Sequence, residues 1–171
     1  MFKTKKSRPD SDLAQKEFTS SEISEVTGVS LRQLQWWDEQ KVVSPRHEGH
    51  KRIYLAEEAI EIAVIAELRR KGFSLQKIRR VLRFLQREMG KRLADIVAAD
   101  SDMHLVTDGK AIYLENDSDT IIDVLKSADQ PMFLVCVTDQ ARSLSAPAKP
   151  ARKAPGREAI GVAAARKLRA I

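Results

Sequence analysis

Residues 18–54, FTSSEISEVTGVSLRQLQWWDEQKVVSPRHEGHKRIY, carry the densest local instructions in this 171-residue chain. Thr19 stands where it can cap a helix, and Glu22, three residues on, completes a capping box. Phe18 and Ile23 occupy the positions of a hydrophobic staple, which sets the angle at which the chain enters that helix. Gly28 supplies the left-handed turn that a β-carbon resists. Ser30 caps a second helix, whose apolar Leu34 and Trp37 lie three apart on one face. Ile23, Val26, Val29, Leu34 and Trp37 then close into one small core. Two short helices about a tight turn are expected.

The outer side of the second helix is left with Arg32, Gln33, Gln35 and Trp36. In a helix-turn-helix the second helix enters the major groove with its N-terminal residues nearest the base edges. Arginine suits the paired acceptors of guanine and glutamine the donor–acceptor pair of adenine, each contact giving roughly 1–3 kcal/mol of discrimination. Arg32 could equally meet a phosphate, and Gln33 could simply complete a second capping box with Ser30. Residues 42–54 then alternate and turn as a two-stranded wing would, with Gly49 near the tip. Arg46, His50, Lys51 and Arg52 crowd this ribbon with only Glu48 opposing them, which suits backbone phosphates and salt-dependent affinity. The candidate DNA-binding set is Thr19, Ser20, Ser30, Arg32, Gln33, Gln35, Trp36, Arg46, His50, Lys51, Arg52 and Tyr54.

Gly28-Val29-Ser30-Leu31-Arg32, then Leu34, the aromatic pair Trp36-Trp37, Asp38, Pro45-Arg46, Arg52-Ile53-Tyr54 and the joint 71–75 come in the order of a known family. Over residues 18–89 the chain resembles the MerR family of bacterial transcription regulators. The resemblance implies a winged helix-turn-helix that binds double-stranded DNA as a homodimer on a roughly palindromic operator. It also implies RNA polymerase as a further partner, because members typically distort the promoter between two polymerase-recognition elements. Three features depart from the pattern. Trp36-Trp37 replaces the usual Tyr-Tyr, an extra residue separates Gly49-His50 from Arg52, and the family's long C-terminal dimer helix is not recognised.

Charge divides the chain. The net charge of +6 is the sum of +2 over residues 1–17, +5 over 18–94, −8 over 95–140 and +7 over 141–171. Nucleic acid is therefore expected to meet the first half and the tail, and the acidic stretch to face something else. The fold expected is mainly α: a flexible arm (1–17), a winged helix-turn-helix domain with two further helices (18–98), a small α+β module (99–142) and a disordered basic tail (143–171). Cys136, the single cysteine, sits in an apolar run and reads as a small core residue. The absence of a disulfide framework, of an apolar signal core and of any run near 18 apolar residues points to a soluble intracellular protein with no membrane. The MerR resemblance implies that the compartment is the bacterial cytoplasm and nucleoid.

Residues 55–71 read as a helix buried on several sides. After Gly72, a helix begins at Ser74 in which Leu75, Ile78, Leu82, Leu85 and Met89 form a heptad-like seam that Leu93 and Ile96 nearly continue. The seam is either a dimer contact or a core-facing stripe. Its other sides carry Lys77, Arg79, Arg80, Arg83 and Arg87. Strands 104–107 and 110–115 flank Asp108-Gly109, a two-residue hairpin signal. A short helix capped by Asp117 or Ser118 follows, then the apolar strand 132–138, expected to be central. A ββαβ unit this small must pack on the preceding helix or on its twin in a second subunit, and the twin is preferred.

The leading function is sequence-specific transcription regulation. An antitoxin-like role, with the acidic module holding a protein partner, and a general nucleoid role through the tail are the alternatives. The tail could also dock on the acidic module when DNA is absent. No enzyme is expected, with no catalytic residue, metal ligand set or cofactor. His47, His50 and His104 are scattered, and the acids of residues 95–123 fall at turns and helix starts without calcium-loop spacing.

Overall fold

A computed structural model describes residues 13–98 and 101–146. The first helix, α1 (Ser20–Thr27), carries the full Thr19–Glu22 capping box and ends at Gly28 with φ 72°. Helix α2 (Leu31–Glu39) is capped by Ser30, whose Oγ accepts from the Gln33 backbone N–H at 3.2 Å. Ile23, Val29, Leu34 and Trp37 are buried as the spacing requires, and Val26 is partly buried. Each such fully buried side chain contributes roughly 1.5–3 kcal/mol.

The wing is shorter than expected and belongs to a larger sheet. Strands β2 (Arg46–Glu48) and β3 (Lys51–Leu55) pair antiparallel around Gly49 and His50. Gly49 takes φ 61°, as the first position of a type II′ hairpin demands. Val42 and Val43 enter the core instead of the ribbon. A third strand, β1 (Glu17–Thr19), flanks β3 on its other side, giving the order β1-β3-β2. The expected arm therefore ends earlier. Residues 1–12 lie outside those described, but Leu13–Gln15 form a 3-10 turn with Leu13 buried, and the Lys16 ammonium sits 4.7 Å above the Phe18 ring.

Helix α3 (Ala56–Arg70) is buried nearly all round, and α4 (Leu75–Ala98) follows the break at Gly72 (φ 86°) and packs against α3. Gly90 does not stop α4. Ile78, Leu82, Leu85, Met89 and Ile96 are all buried within this one chain, against α3 and the last helix. The seam is thus a core stripe and not a free dimer face. The side chain of Leu93 lies outside those described.

The small module departs from expectation in three ways. Strands β4 (His104–Thr107) and β5 (Ile112–Glu115) enclose a four-residue loop, not a two-residue turn. The Asp108 carboxylate accepts from the Lys110 and Ala111 backbone N–H groups at 2.7 and 2.8 Å, and this local turn overrides the tighter one. After α5 (Ser118–Ser127), capped by Asp117, strand β6 (Phe133–Cys136) lies at an edge, because the sheet order is β5-β4-β6. β4 is the central strand.

The third departure is α6 (Val137–Ser145), where strand and tail were expected. Val137, Ala141 and Leu144 follow helical spacing and are buried with α3 and α4. The Thr138 hydroxyl, also buried, accepts from the Met103 backbone N–H at 2.9 Å. The module packs on its own chain's helices, sealed by Phe73 edge-on to Phe133 at 4.9 Å. A contiguous core therefore crosses the boundary expected at residue 99. Residues 147–171, the rest of the expected tail, lie outside those described.

Candidate nucleic-acid interface

Three elements converge on one open cleft of about 510 Å³. The start of α1 brings Thr19, Ser20 and Ser21, the first turns of α2 bring Leu31, Arg32 and Gln35, and the wing brings His50, Lys51 and Arg52. No acid lines it. The Ser20 and Ser21 amides open α1, where no intrahelical acceptor exists, so this end of the cleft favours an anion. Seven of the twelve residues singled out from sequence line the cleft. Ser21 and Leu31 were missed, although a helix's first turn facing a wing is itself a signal.

The other five stand elsewhere. Trp36 is on the outer side of α2 and 44% exposed. Gln33 is half-buried, its backbone N–H given to the Ser30 cap. Ser30 spends its hydroxyl on that same bond. Arg46 is exposed but paired with Glu17 at 2.8 Å and Glu48 at 2.9 Å, and these carboxylates hold its guanidinium above its ordinary pKa. Glu17 was not counted against it from sequence because β1 was not foreseen.

Tyr54, expected at the surface, is fully buried opposite Phe18 across β1 and β3. Its hydroxyl lies near Ser20 without a well-formed hydrogen bond, and burial pushes the phenol's pKa up. A direct DNA contact by this side chain gives way to a core position beneath α1.

Two contacts shape the cleft before any ligand arrives. Arg52 donates its Nε–H to Asp38 Oδ2 at 2.6 Å, and His47 Nε2 lies 3.0 Å from the same oxygen. The wing is thereby tied to α2, and the hydrogen bond to Asp38 keeps the Arg52 guanidinium firmly charged. Gln35 donates to Glu39 Oε1 at 2.8 Å, so its amide is held along the helix surface. At α1, the Thr19 backbone N–H holds the Glu22 carboxyl below its usual range.

The sequence model described as MerR HTH family regulatory protein matches residues 18–85. Residues 18–85 are a MerR-type helix-turn-helix domain. The match is to a family of regulatory proteins and not of enzymes. Among curated proteins, uncharacterized HTH-type transcriptional regulators of Mycobacterium bovis and of two strains of Mycobacterium tuberculosis are each 25% identical to this chain over 126 residues. Those residues cover 71% of this chain and 52% of each relative, so the chain spans about half the length of the curated relatives it matches. Among the described residues no group of three or more His, Cys, Asp or Glu is placed to hold a metal ion. No described helix is long and apolar enough to cross a membrane.

Proposed function

We propose that this MerR-type chain is a sequence-specific transcription regulator that binds double-stranded DNA as a homodimer on a palindromic operator. The observation that carries the reading is the acid-free cleft joining the α1 N-terminus, the outer side of α2 and the wing. In this reading α2 enters the major groove, with Arg32 and Gln35 on base edges and Trp36 and Leu31 offering apolar contact to thymine methyl groups. Gln35 first leaves Glu39. Lys51, His50 and the Ser20 and Ser21 amides hold one phosphate strand, and Arg52 adds its remaining N–H groups while Asp38 keeps its orientation.

One α2 presents few outward side chains, so a single module reads only a few base pairs. Two modules on a two-fold site supply the specificity. The dimer contact lies outside the α4 stripe, which is already buried. Regulation then runs through RNA polymerase at the promoter that holds the operator. Selection of bound duplexes from a random pool, followed by footprinting, tests the reading. Enrichment of an inverted repeat with half-sites about one or two helical turns apart supports it, and a pool that stays random after repeated rounds rejects it.

A further inference from the structure

Among the described residues seven large apolar side chains are exposed, and they fall into two groups. Leu31, Trp36 and Leu55 belong to the winged domain. Tyr113, Ile122, Leu125 and Leu134, each between 39% and 45% exposed, belong to the small module. Tyr113 and Leu134 both pair with Val106, itself fully buried between them, on the side of the sheet opposite Leu105, Leu114 and Val135, which enter the core. Ile122 and Leu125 lie three apart on α5, so they share one side of it. Four exposed apolar groups on one small module point to a surface that something covers.

Charge decides between occupants. Around these side chains Glu115, Asp119, Asp123 and Asp129 form no salt bridge among the described residues. On α5 itself Lys126 is the only base. A second copy would bring together two such faces from regions of net charge −8, and like charges oppose that. The chain holds the complementary partner itself. Residues 147–171 carry a net charge of +6, and their last fourteen, EAIGVAAARKLRAI, combine Ile160, Val162, Leu168 and Ile171 with Arg166, Lys167 and Arg169.

We propose that residues 158–171 dock on this apolar, acidic face of their own chain. The twelve residues 146–157 reach about 40 Å when extended, enough to cross a domain of this size. Apolar burial supplies affinity, and the carboxylates select a cationic segment. The docked segment is withheld from nucleic acid, so DNA phosphates and the module's carboxylates compete for the same cations. A high concentration of duplex DNA draws the segment off.

The test uses the full chain at low salt. Backbone amides of residues 158–171 should exchange about tenfold or more slower than free-peptide rates, and carbodiimide should join Lys167 to Asp119 or Asp123. An Ile122→Ser, Leu125→Ser double variant, altered only at exposed positions, should lose both signals, as should the native chain in high salt. Should that variant misfold, charge reversal of Arg166, Lys167 and Arg169 to Glu, outside the described fold, should restore fast exchange instead. Free-peptide exchange in the native chain overturns the proposal. So do cross-links that, in an equal mixture of isotopically light and heavy protein, join different chains, since these assign the face to a second copy.

Discussion

Arg52 on the wing and Asp38 on α2 meet at 2.6 Å, with Asp38 also 3.0 Å from His47. The pair fixes the spacing between α2, proposed to read bases, and the wing, proposed to hold the DNA backbone. Asp38 is mostly shielded and Arg52 partly so. Because all cations survive in Asp38→Ala, its salt slope should stay at the native value while affinity for every duplex falls by about fivefold through a wandering wing. Arg52→Ala should weaken all duplexes and lower the slope by about one. Fluorescence anisotropy across a salt series separates the two. Tighter binding by Asp38→Ala would mean that the carboxylate merely competes with phosphate for Arg52.

Arg32 projects from the first turn of α2 into the cleft with no partner among the described residues, so its guanidinium is free for a base. Arg32→Ala should lower the ratio of operator to random-sequence binding by about 10- to 100-fold, the range for a lost bidentate contact. Competition binding with both duplexes measures the ratio. An equal loss on both would move Arg32 to the phosphates.

Gly28 separates α1 from α2 at φ 72°, and a β-carbon there would meet nothing within 4 Å. The strain of Gly28→Ala is therefore purely conformational, about 1 kcal/mol, and Gly28→Asn should cost less because asparagine tolerates the left-handed region. Urea unfolding of the three proteins checks the order. Equal stability of the alanine variant would contradict it.

Those local signals were legible because each lies within a few residues of its partner: Thr19 with Glu22, Gly28 between two caps, Ser30 with Gln33. What sequence did not disclose depends on distant partners. Glu17–Thr19 becomes a strand only because residues 53–55 lie beside it, and that pairing is what sets Glu17 against Arg46. The Asp38–Arg52 link likewise joins two elements whose relative pose no local rule dictates. Helix α6 was hidden because Val137 and Thr138 favour strands, and burial against α3 and α4 overrides that preference. The buried α4 stripe follows from the same docking. Its heptad spacing was plain, but spacing alone does not say whether the covering helix belongs to the same chain.

That assignment of the stripe can be tested separately. Leu85 is fully buried in it, so Leu85→Ala should cost about 2–5 kcal/mol of unfolding free energy. Its folded fraction should keep the native sedimentation behaviour at all concentrations. A variant that dissociates while remaining equally stable would return the stripe to an intersubunit role.

Glu61 is 5% exposed in the middle of α3, with Gln86 Nε2 of α4 donating to its carboxylate at 3.3 Å. Burial, only partly offset by that bond, pushes its pKa from 4.5 to about 7. Below pH 4.5 the folded and unfolded chains both hold the proton, and the group contributes no penalty. Between 4.5 and 7 the unfolded chain ionises first, binds fewer protons than the folded one, and stability falls as pH rises. The loss is complete above pH 7 and amounts to about 3 kcal/mol, at roughly 1.4 kcal/mol per pKa unit. Glu61→Gln keeps a partner for Gln86 but cannot ionise. It should therefore gain stability over the native chain at pH 8 and little or none at pH 4.5. Carboxyls with lowered pKa, such as Asp108 and Asp117, titrate alike in both proteins and cancel in the difference. Urea unfolding of the pair at pH 4.5 and pH 8 measures that difference, and an advantage that does not change with pH would mean that Glu61 is ionised in the folded chain throughout.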